Sequence, residues 1–143
     1  SSKISKTKRL LMNLTENRPV FLNLFRIHQP VTAVVSILHR ITGILMVLAL
    51  PGLIYLLQTS LSSPEGFSQV VTLLDSQISR LLAVLMIWML VHHLFAGIRF
   101  LILDFDVGLT KSVARKTAWI VHISAVVVGV VTAWALLFSG ASL

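Results

Sequence analysis

Cysteine is absent from the 143-residue chain, which excludes disulfides, thiolate zinc sites and any iron–sulfur cluster held by the chain itself. A bound metal would need histidine or carboxylate ligands. Charge is also scarce: Asp, Glu, Lys and Arg make up 12% of the residues, against roughly 25% in an average soluble protein. The first thirty residues carry no short apolar stretch followed by a cleavage site, so no secretory signal peptide is expected there. Recognition modules for nucleic acid are missing too, and this removes the first reading that a net charge of +7 invites.

What the chain has in quantity is apolar surface, at 56% of its residues. A single core of this size cannot enclose that much, so much of it must face something other than water, and a lipid bilayer is the default. Three apolar runs stand out, at about 31–57, 81–103 and 118–138. Each is near or above the ~20 residues needed to cross a hydrocarbon core of about 30 Å. The expected fold is therefore all-α, an integral membrane protein of three transmembrane helices (31–143) preceded by a basic arm (1–30). Pro51-Gly52 falls inside the first run and predicts a kink rather than a stop, because membrane helices tolerate that pair. Ser62 to Gly66 is a turn signal, and a short helix is expected over about 67–77. No internal repeat or low-complexity tract is present.

The basic residues orient the spans. Lys3, Lys6, Lys8, Arg9, Arg18 and Arg26 lie in the arm, and Lys111, Arg115 and Lys116 in the second connection, whereas the first connection has only Arg80. The positive-inside rule then puts the N-terminus in the cytoplasm and the C-terminus outside, with Trp119 and Trp134 near opposite membrane boundaries.

Charge at the bilayer centre costs about 2.5–3.5 kcal/mol on insertion scales, so ionisable residues within the spans mark candidate sites. The first run holds Ser36, His39 and Arg40; the second, His92, His93 and Arg99; the third, His122. Ser36, His39, Arg40 and Gly43 recur at helical spacing and are expected on one face, as are His93, Gly97, Phe100 and Asp104. Arg40 lies about 15 Å along its helix from Pro30, and His93 lies at a similar rise from Asp104. The two helices are antiparallel, so both groups of residues converge in the inner half of the bilayer.

Neutral imidazole buried in a membrane is a natural axial ligand for haem iron, and glycine one turn away leaves room for a flat macrocycle. Buried arginine and serine suit haem propionates or a quinone carbonyl. Each residue also has a structural reading. A membrane histidine can bond a neighbouring helix, and Arg40 and Arg99 can snorkel to the inner surface. Geometry alone does not choose between His92 and His93. A second haem ligand has three candidate sources: His39, His122 or another chain. His122 is expected near the inner end of the third helix in a structural role, and His28 at the interface.

At these residues the sequence resembles the larger cytochrome b membrane-anchor subunits of bacterial succinate dehydrogenase (succinate:ubiquinone oxidoreductase, respiratory Complex II). The resemblance begins at Arg18 to Leu24 and runs through Pro-Val-Thr-Ala-Val-Val-Ser-Ile-Leu-His-Arg-Ile-Thr-Gly (Pro30 to Gly43). It includes Ser60 to Phe67 and ends with His-x-x-x-Gly-Ile-Arg (His93 to Arg99) before Asp104-Phe105. It implies that His93 is the haem b axial ligand, that Ser36 and Arg40 line the ubiquinone site, and that His39 lies near the haem propionates. The second ligand would come from a smaller anchor subunit. Related sequences can carry a histidine where this chain has Phe100, so no role carries over to that position.

The resemblance further implies a bacterial inner-membrane location and three partners: a flavoprotein that oxidises succinate, an iron–sulfur subunit and the second anchor. Three other readings stay open at this level: the anchor of a quinol:fumarate reductase, a structural anchor without functional haem, and a transporter subunit. The nearly uncharged outer halves of the helices argue against the last.

Overall fold

The computed structural model describes residues 29–138; the arm before Gln29, with His28 and the Arg18–Leu24 motif, lies outside the described residues. Four helices follow in order: α1 (Val31–Ser62), α2 (Pro64–Leu74), α3 (Gln77–Asp104) and α4 (Lys111–Ala133), the last continued by a π-helical turn, Trp134–Phe138. Three of these elements, α1, α3 and α4 with its π turn, are long and apolar enough to cross a membrane. The chain is all-α over the described residues, with α3 packed against both α1 and α4.

Each span is longer than its apolar run. α1 has 32 residues, about 48 Å at 1.5 Å per residue, against a hydrocarbon core of about 30 Å. Helical hydrogen bonding does not stop where apolar composition stops. The polar turns Gln58–Ser62, Gln77–Arg80 and Lys111–Thr117 remain helical because their backbone groups are already paired within the helix, while their side chains suit the headgroup region. α1 also continues through Pro51.

Ser63 ends α1 in extended conformation and caps α2, its hydroxyl accepting the N–H of Gly66 at 3.0 Å, with Pro64 at the first helical position. The short connecting helix thus begins three residues before the sequence expectation and ends three residues earlier. Hydrogen bonds to its own main-chain N–H and to Ser63 hold the Glu65 carboxyl below its ordinary range. Arg80 belongs to the first turn of α3. It pairs with Asp75 and donates to the carbonyl of Leu136 at 3.2 Å, tying the start of α3 to the π turn.

The buried apolar interior is thin and made mostly of small side chains. Val35, Ala96, Ala118 and Val121 form its centre, with Val31 and Phe100 packed on it. Ala125 and Gly129 continue the α4 seam, and a Cβ on Gly129 would stand 3.2 Å from the Trp88 ring. Small residues let transmembrane helices approach closely where lipid supplies no hydrophobic drive. Large apolar side chains such as Ile44, Leu48, Leu61, Leu101 and Val130 point outward and are exposed, as a bilayer or partner helices require.

Candidate functional site at the seam of the first and third helices

α1 and α3 cross where His39 and Gly43 meet His93, Gly97 and Phe100. The His39 and His93 rings stack with centroids 4.0 Å apart and planes 13° from parallel. Phe100 meets His39 edge-on at 5.2 Å. A Cβ on Gly43 would lie 2.9 Å from His93 Cε1, and one on Gly97 would lie 3.5 Å from His39 Nε2. Gly43 is therefore the residue that admits the His93 ring, whereas Gly97 merely accommodates His39 at ordinary contact distance.

His93 is held by one ring nitrogen. Its Nδ1 lies 3.0 Å from the main-chain carbonyl of His39 and 3.3 Å from the hydroxyl of Thr42. A carbonyl can only accept, so Nδ1 carries the proton and donates. Thr42 is buried (1% exposed) and directs its own O–H back to the carbonyls of Leu38 and His39, at 2.8 and 3.0 Å. Its oxygen therefore faces His93 as a second acceptor. This fixes the tautomer and leaves the lone pair on Nε2, the arrangement by which metal-binding histidines are oriented and made more basic. Thr42 and the His39 carbonyl are absent from the sequence reading. The only trace of them there is the Ile-Thr-Gly that closes the longest motif.

The four α1 residues expected on one face divide into two rows. His39 and Gly43 turn inward to His93. Ser36 is half-buried, and Arg40, one turn beyond it, is exposed with no hydrogen bond or ion pair to any described residue. Ser36 and Arg40 are four apart, as are His39 and Gly43, and the step between neighbouring residues turns about 100° around the axis. Arg40 thus sits on the outer side of the α1–α3 seam, facing lipid or another chain.

The remaining histidines form a different cluster. His92 is fully buried, and neither of its ring nitrogens has a hydrogen-bond partner among the described residues. Its ring lies 5.4 Å from that of His122 and 5.8 Å from that of Trp88. His122 stands eleven residues into α4, about 16 Å along the axis, because α4 begins at Lys111 rather than at the expected start near Ala118. His39 lies flat on the His93 ring, and His122 packs on the His92 side.

Arg99 is not free to snorkel. Buried to 7% exposure, it donates from Nε to the Thr117 hydroxyl and from Nη2 to the Ala114 carbonyl, each at 3.1 Å, and its guanidinium lies 5.5 Å from the centre of the Phe100 ring. Asp104 is exposed at the end of α3.

Comparison with known proteins agrees with this architecture. Residues 15–139 match the family described as the succinate dehydrogenase/fumarate reductase transmembrane subunit. The succinate dehydrogenase cytochrome b556 subunit of Coxiella burnetii is 35% identical over 127 residues, covering 85% of this chain and all of that protein. Its counterpart of the same description in Paracoccus denitrificans is 30% identical over 116 residues, covering 81% of this chain and 89% of that protein. With matches of this length over helices of this kind, the chain belongs to the family of succinate dehydrogenase/fumarate reductase transmembrane subunits.

Proposed function

We propose that this chain is the cytochrome b anchor of a succinate:ubiquinone oxidoreductase, with His93 Nε2 as an axial ligand of haem b and Ser36 with Arg40 lining the quinone-reduction site. The observation that carries this reading is the hydrogen bond from His93 Nδ1 to the His39 carbonyl, which presents Nε2 for iron. The donor set fits haem: an imidazole whose Nε2 lone pair is free, no thiolate, and Gly43 against the ring where a side chain would crowd it. Haem, when bound, supplies a one-electron redox centre beside the quinone.

The likeness to the family implies that a second ligand would come from a smaller anchor subunit, and the stacking of His39 on His93 and of His122 beside His92 is compatible with that. His39, next to the ligand ring, is placed to meet a propionate. Arg40 and Ser36 face outward from this chain, so the quinone site is completed by neighbouring subunits. There the Arg40 guanidinium and Ser36 hydroxyl orient the quinone carbonyl. The fixed positive charge of Arg40 stabilises the oxygen as electrons arrive, an effect that is large where water is excluded. Two electrons from succinate, passed on by the flavoprotein and iron–sulfur subunits, and two protons convert quinone to quinol. The N-terminal arm and the Lys111–Lys116 segment lie on the cytoplasmic side of a bacterial inner membrane, and the C-terminus lies in the periplasm.

The test is the visible spectrum of the assembled complex. Replacing His93 with Ala is expected to abolish or shift the b-type haem bands. An unaltered spectrum in an assembled His93→Ala complex would overturn the ligand assignment.

A further inference from the structure

Arg99 is a charge that the proposed chemistry does not use. It is 7% exposed, and among the described residues no carboxylate pairs with it. Its two hydrogen bonds go to a hydroxyl and a carbonyl, neither of which carries a compensating charge. Burying an unpaired cation is costly unless an anion meets it.

Arg99 lines a cavity of about 260 Å³ between α3 and α4. Most of the lining is apolar, including Phe95, Ile98, Ile102 and Ile120, and these four side chains are also exposed at the surface of the chain. Thr117 and Ser124 are the other polar side chains in it. Arg99 is five residues from the end of α3, about 7.5 Å along the axis. A 28-residue helix is about 42 Å long and overhangs a core of about 30 Å by roughly 6 Å at each end. Arg99 therefore lies at the boundary between headgroups and hydrocarbon. Lys111, Arg115 and Lys116 are exposed at the same surface, and such clusters attract anionic lipid. Asp104 and Asp106 are exposed and line no part of the cavity.

From these features we infer that the cavity holds one anionic phospholipid from the leaflet at the α3–α4 turn, its phosphate on Arg99 and an acyl chain along Ile98, Ile102 and Ile120. The ligand needs a negative head at the core boundary and an apolar body below it. A partner helix, about 10 Å across, would lie over this narrow groove between two packed helices and could not enter it; an acyl chain can. The inference is independent of the haem and quinone assignments.

The purified complex, delipidated in neutral detergent, is titrated with phosphatidylglycerol and separately with phosphatidylcholine, and retained lipid is counted by native mass spectrometry. Wild type is expected to retain one phosphatidylglycerol more than the Arg99→Gln complex, with at least a tenfold preference over phosphatidylcholine. Ile102→Trp, which narrows the groove without touching the Arg99 hydrogen bonds, is expected to lose the same lipid. It decides alone if Arg99→Gln fails to assemble. Equal retention of the two lipids by wild type, or an unchanged preference in an assembled variant, overturns the inference. So does displacement of the retained lipid by millimolar inorganic phosphate, which would mark a site for a free anion.

Discussion

The Nδ1 of His93 on α3 lies 3.0 Å from the main-chain carbonyl of His39 on α1, and this one hydrogen bond sets which nitrogen can bind a metal. It also makes the position of His93 depend on the α1 backbone, with Thr42 as a second acceptor at 3.3 Å. Hydrogen bonding at the distal nitrogen raises the basicity of a ligating imidazole and favours the oxidised metal. Thr42→Val keeps the shape and removes that acceptor. The haem midpoint potential is therefore expected to rise by about 20–60 mV, the one-electron equivalent of one ordinary hydrogen bond. Potentiometric titration of the assembled complex reads this directly, and a potential within error of wild type would show that the His39 carbonyl suffices.

Two glycines of the same helix give a contrast. A Cβ on Gly43 would stand 2.9 Å from His93 Cε1, whereas around Gly52 nothing lies within 4 Å. Gly43→Ala is expected to push the His93 ring from its seat and lower haem content. Gly52→Ala should leave the spectrum unchanged and, by helix propensity alone, stabilise α1 by up to about 1 kcal/mol. Pyridine haemochrome content per complex measures the first effect and thermal melting the second. Equal haem content in the two variants would mean that the seam has enough slack to absorb a methyl group.

Much of this arrangement is legible in the sequence. Three apolar runs specify three spans, and helical spacing brings His39 and Gly43 onto the His93, Gly97 and Phe100 face. What is not legible follows from two physical causes. Helix ends lie in polar turns that hydropathy does not register, so the start of α4 at Lys111, and with it the position of His122 along the helix, is hidden. Periodicity also gives a face without saying what covers it. Ser36 and Arg40 group with His39 and Gly43 because all four fall within one arc, yet only the contact with α3 separates the inward row from the outward one. Thr42 escapes for a related reason. A threonine in a membrane helix ordinarily bonds its own backbone, as this one does, and its second role exists only because His93 arrives from another helix.

The outward position of Arg40 leads to a separable effect on activity. Arg40 makes no hydrogen bond to a described residue, so its removal leaves the three-helix packing intact. Arg40→Gln is expected to reduce quinone reduction by roughly 100-fold, the scale seen when one donor to a developing oxyanion is lost. Succinate oxidation by a soluble dye acceptor should stay near wild type. Parallel assays on one membrane preparation check this, and equal loss of both activities would point to failed assembly.

His92 supplies the complementary test, because it adjoins His93 in sequence and differs from it in burial and in hydrogen bonding. His93 is half-buried and bonded; His92 is fully buried with both ring nitrogens unpartnered among the described residues. A buried polar group without a partner costs about 1–3 kcal/mol, and replacing it with an apolar group of similar shape removes that cost. His92→Leu loses the ring contacts with Trp88 and His122, each worth at most about 1.5 kcal/mol, so the two effects oppose each other at similar size. The assembled complex is therefore expected to melt within a few degrees of wild type and to keep its haem bands unshifted. Loss of the bands in an assembled His92→Leu complex would move the ligand from His93 to its neighbour. A large fall in melting temperature with the bands intact would show instead that His92 finds a hydrogen-bond partner in another subunit.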